Sequence, residues 1–570
     1  MMRHSTIPWL LGLLSACGSN TVPLSDAPGA GGNGAGGSGG QANGNEVITQ
    51  RSSDVDLLLV IDNSISMADK QKALASSLGE LVQRLINPRC VDGAGKPVAQ
   101  PGTPSLACPA GSQREHAPVA SLNVGVVTTA LGGRGGETCS SGQEGQDDRA
   151  RLLGSVRAVT SSNAHGYLEW PGGDSSVDGF ISLVRSHVIA AGEIGCGYEA
   201  PLEAMYRFLV SPDPPAEVVK SGAFTVQVGL DETLLTQRGA FLRPGSTLGV
   251  LLLTDENDCS IAESGQGWLV STVNSGLPKA TPACETNPDA AGCKSCGVPG
   301  SGCEGENHAA MDDHVNLRCW EQKRRFGVDF LHPIERYVRG FSSPTVVDRD
   351  GHEVPNPLFA LQSGKKRAPD QIVVAGLVGV PWHLLARPGT HAPGTPLALR
   401  TAAELAADGV WPAITGSYQA PPTDPHMLES PFPRGSLPTW LTPHADPIHG
   451  HETDGVTAGA VNGPGDLQYA CTFPIEPRDC TLVAGGCECT NHGINAKSPL
   501  CFDGAEYSSV QRYAKAYPGR RQLDLLRALG SRAAVGSVCP KTLSGSPRDV
   551  GYGYNPLFDN LLARLGKSLE

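Results

Sequence analysis

The sequence has few aromatic and few basic residues for its length. Phe, Trp and Tyr make up 5% of the 570 residues, and 44 Lys and Arg are outnumbered by 57 Asp and Glu, which gives a formal net charge of −13 at pH 7. Proteins that bind phosphate backbones need clustered Lys and Arg, so this balance argues against nucleic-acid binding. The 71 glycines and 45 prolines indicate that much of the chain forms turns and long connections.

The sequence has no apolar run long enough to span a bilayer, which needs ~20 residues. Its N-terminal apolar run, residues 7–14, is shorter than that. Residues 7–14 have the layout of a signal peptide. The following Leu14-Ser15-Ala16-Cys17 resembles the bacterial lipobox, in which the cysteine is diacylated. This resemblance implies a signal peptide over residues 1–16 and a lipid on Cys17, with an ordinary secretory signal as the alternative. Gly18 implies, by resemblance to Gram-negative lipoproteins, export to the outer membrane.

The domain layout follows from composition. Residues 17–51 are rich in Gly with Ala, Asn and Ser between, and such a segment cannot bury enough apolar surface to fold. It is predicted to be a flexible tether behind the lipidated Cys17. Residues 52–570 are predicted to form one domain, with insertions at about 88–120, 256–320 and 382–515.

Apolar runs alternate with amphipathic stretches along residues 52–570. The predicted strands are residues 55–61, 122–127, 248–253, 372–378 and 533–538. The predicted helices are residues 68–87, 176–190, 199–210, 322–340, 519–530 and 556–569. This alternation predicts an α/β fold with a doubly wound, mainly parallel sheet and helices on both faces. Ligands of such sheets bind at the carboxyl ends of the strands.

The loop after the first predicted strand carries the most informative motif, because Asp62, Ser64 and Ser66 form a D-x-S-x-S pattern before a helix. One carboxylate and two hydroxyls are hard oxygen ligands, and they leave room for waters and an outside carboxylate, as Mg²⁺ prefers. A serine-rich turn that caps the helix is the alternative. At this motif the chain resembles the von Willebrand factor type A (VWA) family, whose metal-ion-dependent adhesion site begins with D-x-S-x-S.

The resemblance implies further site residues. Asp255 follows a second buried strand, as the later metal-site Asp of the family does. The family has a Thr before its third helix, where this chain has Gly195-Cys196-Gly197-Tyr198-Glu199. Glu199 is the nearest oxygen donor and could replace that Thr, or it could serve only as an acid at a helix N-terminus.

Three more acids lie near the motif residues. Asp69 resembles an adjacent-site ligand of integrin relatives, with a first-turn helix acid as the alternative. Glu256 and Asp258 follow Asp255 directly and could hold Ca²⁺ or sit in solvent.

The 17 cysteines indicate an oxidising compartment. Apart from Cys17 they fall into even groups, which predicts up to eight disulfides in the loop-rich insertions. Zinc at the Cys293-x-x-Cys296 pair is the alternative, although no second pair has finger spacing. The three groups are Cys90, Cys108, Cys139 and Cys196; Cys259, Cys284, Cys293, Cys296, Cys303 and Cys319; and Cys471, Cys480, Cys487, Cys489, Cys501 and Cys539.

A second metal candidate lies in the last insertion. Its His-x-His motif and nearby acids could bind Zn²⁺ or Fe²⁺, but the motif sits among Pro and Gly with no apolar strand before it, which favours a solvated or structural loop. Asp350-Gly351 is predicted to be a hairpin turn rather than part of a calcium loop. The residues of the histidine-rich segment are His444, Asp446, His449, His451 and Glu452.

The resemblance implies an exported, lipid-anchored protein of the cell envelope, periplasmic or surface-exposed, that binds a protein or glycan. The partner's carboxylate would complete the shell of Mg²⁺, or of Mn²⁺ or Ca²⁺. The alternatives are a structural envelope lipoprotein with a vestigial site and a metal-dependent enzyme that uses the histidine-rich insertion. The sequence has no phosphate-binding glycine loop and no nucleophile elbow, and an enzyme is not expected.

Overall fold

A mostly parallel sheet of six strands forms the centre of this mixed α/β protein. A computed structural model describes the residues given at the end of this paragraph, and they belong to a compact unit spanning Val47–Glu570. The predicted signal peptide, Cys17 and the tether lie outside the described residues. These are residues 53–133, 136, 147–157, 159, 162–173, 175–272, 276–309, 313–417, 419–434, 448–452, 467–483, 487–490 and 498–569.

The described strands are β1 (Asp54–Ile61), β2 (Cys90–Val91), β3 (Gln113–Arg114), β4 (Ser121–Thr128), β5 (Leu168–Trp170), β6 (Glu217–Ser221), β7 (Phe224–Val228), β8 (Thr247–Leu253), β9 (Thr345–Val347), β10 (Glu353–Pro355), β11 (Ile372–Val378), β12 (Cys471–Asp479), β13 (Val510–Ala516) and β14 (Ala533–Ser537). The described helices are α1 (Ala68–Ile86), α2 (Leu153–Val156), α3 (Val177–Ile189), α4 (Pro201–Leu209), α5 (Glu232–Phe241), α6 (Ala283–Thr286), α7 (Gln322–Phe326), α8 (Ile334–Gly340), α9 (Trp382–Leu385), α10 (Ala402–Ala407), α11 (Trp411–Ile414), α12 (Arg520–Leu529) and α13 (Asn555–Leu569).

The strand order of the central sheet is β14-β11-β8-β1-β4-β5. β1 pairs in parallel with both β4 and β8, and only the short edge strand β5 runs antiparallel. Ile61 lies opposite Thr128 on one side and Leu253 on the other. The three central strands therefore end level, so the residues that follow them share one edge of the sheet.

The apolar composition of β1 explains its central position. Every residue from Val55 to Ile61 is buried, so both faces of the strand are covered. α1 packs against α3 and α13, and α4 contacts β1 and β4. Helix α1 presents an apolar stripe of Leu74, Leu78 and Leu81 to the core, as its periodicity predicts.

The structure confirms the mainly parallel sheet and the predicted strands, whereas one predicted helix is wrong. The helix expected over residues 322–340 is two short helices, α7 and α8. Gly327 ends α7 in the left-handed conformation at φ 72°, and the extended Pro333 precedes the first residue of α8, Ile334. The predicted turn at Asp350-Gly351 is confirmed, because it joins the antiparallel pair β9 and β10.

Seven disulfides join described cysteines, and Cys196 is also disulfide-bonded. The six cysteines after Asp255 pair among themselves, as do the last six, which confirms the even grouping in both blocks. Cys293 and Cys296 belong to different disulfides. The pairs are Cys90–Cys108, Cys259–Cys319, Cys284–Cys293, Cys296–Cys303, Cys471–Cys539, Cys480–Cys487 and Cys489–Cys501.

A buried carboxylate anchors the opposite edge of the sheet. Asp56 of β1 is fully buried, and its Oδ1 lies 2.7 Å from Nε of Arg243. The Ser246 hydroxyl and the Arg243 backbone N–H donate to Oδ2, and Nη2 of the buried Arg367 lies 3.7 Å from it. This cluster joins β1 to the segments that lead into β8 and β11.

We expect Asp56→Ala to lower the free energy of unfolding by about 3 kcal/mol, because it leaves the buried Arg367 without its counter-charge and removes the nearer acid partner of Arg243. Asp54→Ala is the matched control: its carboxylate is 34% exposed and 3.6 Å from Arg243, so we expect a loss below about 1 kcal/mol. Urea unfolding measures both, and equal losses would contradict the assignment.

Candidate metal centre

Asp62 lies directly after β1 and is fully buried at the carboxyl edge of the sheet. Its backbone N–H donates to the Leu253 carbonyl at 2.9 Å, which continues the β1–β8 pairing by one residue. Its Oδ1 accepts from the Ser64 backbone N–H at 2.8 Å, and its Oδ2 accepts from the Thr254 hydroxyl at 2.7 Å. The Asp62 carboxylate is thus fixed in one orientation by its own loop and by the neighbouring strand end.

The motif loop also contacts Asp255, which is fully buried at the end of β8. The Ser66 hydroxyl donates to Asp255 Oδ2 at 2.6 Å. Asp255 Oδ1 is buried and has no hydrogen-bond partner, whereas the buried Ser64 hydroxyl interacts with the Asp62 carboxylate. A buried polar atom without a partner costs free energy, so Asp255 Oδ1 fits a ligand of an ion. The structure therefore brings Asp62, Ser64, Ser66 and Asp255 together at one edge.

Lys70 is a member of this cluster that sequence reasoning missed. Its side chain is 1% exposed, and its Nζ lies 2.7 Å from Asp255 Oδ2 and 2.8 Å from the Ser66 carbonyl oxygen. Lys70 lies in the first turn of α1, four residues after Ser66, so helical spacing was the available signal. The ammonium supplies positive charge to Asp255, and it competes electrostatically with any cation bound nearby.

Burial and mutual repulsion raise the pKa values of the carboxyl groups at this edge of the sheet. Burial, followed by the negative charge of Asp255, raises the pKa of Asp62 to about 6. Burial, followed by the charges of Asp255 and Asp62, raises the pKa of Glu256 to about 8. Burial and the neighbouring Glu256 raise the pKa of Glu199 well above its usual range. These carboxyl groups hold protons more tightly than in water because too little positive charge lies among them.

Glu199 lies beside Glu256 in the loop before α4. Its side chain is buried, and the two carboxyl groups share a hydrogen bond. Gly195 of this loop lies against Asn63, and a Cβ at Gly195 would come within 2.6 Å of Asn63 Oδ1. The loop therefore approaches the motif closely at Gly195, and the carboxyl groups of Glu199 and Glu256 lie beside each other.

The other two acids near the motif have structural partners. Asp69 Oδ2 accepts from Gln511 at 3.4 Å, and Asp69 is part-exposed. Asp258 is fully buried, so the solvent-exposed alternative for it is wrong. Its Oδ1 accepts from the Leu202 N–H at 3.0 Å in the first turn of α4, and its Oδ2 accepts from Arg521.

The histidine-rich segment does not converge on one point among the described residues. The His449 ring stacks on His426 at 3.5 Å, whereas His451 Nε2 lies 3.2 Å from the Tyr507 hydroxyl. Glu452 pairs with Arg434 at 2.8 Å. His444 and Asp446 lie outside the described residues. Both described histidines of the His-x-His motif are buried, which favours the structural loop over the solvated one.

Among the described residues, two groups away from this centre have three acid or histidine ligand atoms within 4.8 Å of one another. Glu203, Glu263 and His332 lie close together, but arginines bind both glutamates: Arg336 pairs with Glu203, and Arg207 pairs with Glu263. This group therefore already has its counter-charges.

The second group, Asp348, Asp350 and His352, lies in the β9–β10 turn. Asp348 Oδ1 accepts from the backbone N–H groups of Asp350 and His352, as an Asx turn does.

Comparison of the chain with protein-family models, curated proteins and solved structures finds no match in any of the three. The resemblance to the VWA family therefore rests on the motif and the arrangement of the strands alone. Within the described part of the chain, no helix has the length and apolar character needed to cross a membrane.

The raised pKa values predict how a cation effect depends on pH. The folded state binds protons to Asp62 and Glu256 more tightly than the unfolded state, so their stabilising contribution declines as pH rises through about 6 to 8. A divalent cation competes with these protons and relieves the repulsion between the carboxylates. We therefore expect Mg²⁺ to raise the thermal midpoint more at pH 8 than at pH 5.5.

Each tenfold gain in affinity adds about 1.4 kcal/mol of stability at saturating cation. Thermal unfolding with Mg²⁺, against NaCl of equal ionic strength, measures the difference at the two pH values. An equal effect of Mg²⁺ at both would show that the cation acts away from these carboxylates.

Proposed function

We propose that this protein is a binding module of the VWA type that captures a protein or glycan partner through a divalent cation. The strand order supports the proposal, because the chain leaves β1 toward β4 on one side and returns to β8 on the other. Doubly wound sheets bind ligands at such a reversal of strand order, at the carboxyl ends of the strands. The observation that carries the proposal is the buried oxygen without a hydrogen-bond partner, Asp255 Oδ1, which lies at this reversal beside the motif loop.

In this proposal Ser64 and Ser66 hold the cation directly, and Asp62 and Asp255 hold it directly or through waters. Glu199, the fifth candidate ligand, lies across the loop from the motif. The cation, Mg²⁺ or else Mn²⁺ or Ca²⁺, supplies an open coordination position for a carboxylate of the partner. Oxygen ligands alone, with no thiolate or imidazole among these five side chains, suit these hard cations.

Exposed apolar side chains and a disulfide-fixed loop beside the site could contribute to partner selectivity. Ile65, between the two motif serines, is 78% exposed, and Ile194 on the facing loop is 43% exposed. Apolar side chains beside a cation add contact area that a free ion does not offer. The Cys259–Cys319 disulfide fixes the start of the insertion after Asp255, which reduces the ordering cost of binding.

The cation site is tested by calorimetric titration with Mg²⁺, Mn²⁺ and Ca²⁺. We expect wild-type protein to bind at least one of them at millimolar concentration or below, and Asp62→Ala to lose binding because it removes a charge that the cation needs. Asp178→Ala is the matched control, since it removes an exposed carboxylate in the first turn of α3 that is not among the candidate ligands. Equal losses in both variants would contradict the assignment of Asp62, as would unchanged binding in Asp62→Ala.

Lys70 favours a second candidate, a structural envelope protein whose site has lost its cation. Its ammonium already lies 2.7 Å from Asp255, where it supplies the positive charge that a metal would bring. Lys70→Met in the same titration separates the two candidates. Binding by wild type, several-fold tighter in Lys70→Met, supports the adhesion site. If only Lys70→Met binds a cation, the structural candidate leads.

We also propose that an acylated Cys17 holds the protein at the outer membrane, behind a flexible tether. The proposal rests on the lipobox-like residues 14–17 and on the cysteine-rich composition of an exported chain. Cys17→Ser should release the protein into the soluble fraction, because the acyl chains would be its anchor. If the variant stays with membranes after a salt wash, the lipobox interpretation is wrong.

A further inference from the structure

A cavity of about 420 Å³ opens beside the candidate metal centre. Ser64 and Glu256 line it on the side of the sheet, and Tyr198 and Glu199 line it from the loop before α4. Its outer wall comes from the insertions. This volume lies within the range of pockets that hold small organic ligands, and it exceeds what one coordinated ion needs.

The ionisable groups that line the cavity are all acids. They are Glu193, Glu199, Glu256 and Glu429, and the described lining residues include no Lys, Arg or His. Burial raises the pKa of each of these carboxyl groups, so they are neutralised more easily than glutamates in water. A cationic occupant suits the cavity because its charge would stabilise their ionised form.

Glu429 provides an independent sign of a missing ligand. Its side chain is 7% exposed and lines the cavity, and its Oε1 is buried with no hydrogen-bond partner. Asn257 hydrogen-bonds the same carboxyl group, and the positive charges of Arg520 and Arg325 act on it from outside the cavity lining. A buried carboxylate oxygen of this kind is costly unless a donor arrives from outside the chain.

The arrangement of the acids favours an organic cation over a second metal ion. Among the described residues, the groups of three acids or histidines with ligand atoms within 4.8 Å of one another lie elsewhere and do not include these glutamates. The four carboxyl groups instead spread over separate walls. A guanidinium or ammonium group carries several donors on a long stem, and the stem can pack against apolar side chains. Ile65 and Ile194 on the cavity lining supply such an apolar surface.

We propose that this cavity binds a basic side chain of the partner, a guanidinium or ammonium group, with Glu429 and Glu193 as acceptors. The partner surface would then carry a basic group close to the carboxylate that the cation holds. The prediction that the partner presents a carboxylate rests on the proposed cation-dependent function. The prediction that it presents a basic group rests on the cavity alone.

The test uses propylguanidinium as the probe and propylurea as its neutral isostere, with EDTA present so that metal plays no part. Ligand-observed NMR on the full chain measures the dissociation constants. We expect propylguanidinium to bind and propylurea to bind at least about tenfold more weakly, because charged donors make the stronger hydrogen bonds to carboxylates. Glu429→Gln should weaken propylguanidinium binding about tenfold.

Glu285→Gln is the control, since it neutralises an exposed glutamate of α6 away from the cavity, and it should bind like wild type. If Glu429→Gln fails to fold, Glu193→Gln at the part-exposed side of the cavity replaces it. Equal binding of the two probes, or unchanged binding in the glutamate variant, would overturn the proposal. Asp62→Ala distinguishes a failure of the cation proposal from a failure of the cavity proposal, because this variant should lose Mg²⁺ binding and still bind propylguanidinium.

Discussion

Two like charges buried side by side are the constraint on which the site depends. The level ends of β1 and β8 bring Asp62 and Asp255 to the same edge of the sheet, where both are fully buried. Carboxylates in such surroundings must be protonated, hydrogen-bonded or paired with a cation. The Thr254 and Ser66 hydroxyls supply part of this compensation, and Lys70 supplies one positive charge. The remaining oxygen without a partner, Asp255 Oδ1, marks where compensation is incomplete.

The same deficit of positive charge continues outward from the sheet. Glu256 and Glu199 lie next to the two aspartates, and Glu429 extends the acidic surface into the cavity. Positive charge can therefore enter at three levels: Lys70 from α1, a divalent cation at the strand ends, and a basic group of the partner in the cavity. The proposed cation site and the proposed cavity for a basic group therefore have the same physical cause. In each, a bound positive charge would reduce the repulsion between buried carboxylates.

The sequence predicts the parts of this arrangement that depend on local signals. Continuous apolar runs identify β1 and β8, and the acids that follow them share an edge because parallel strands end together. Lys70 was missed although its spacing from Ser66 was a local signal, because its pairing with Asp255 depends on tertiary packing, and Glu429 was missed because tertiary packing alone brings it to the cavity. Helix α5 was missed too, since residues such as Arg238 are buried in it and no clean apolar stripe marks it. The break at Gly327 was overlooked because charged and apolar residues continue across it.

The most direct test of the central claim is a crystal of the protein soaked in millimolar Mn²⁺, with anomalous scattering measured near the manganese edge. The account predicts one strong peak between the ends of β1 and β8, within about 2.5 Å of Asp255 Oδ1 or Ser64 Oγ. It also predicts that the Lys70 ammonium moves away from Asp255 or shares its carboxylate with the ion. If no anomalous density appears at the carboxyl ends of β1 and β8, and Lys70 stays paired with Asp255, the claim that this site binds a divalent cation is contradicted.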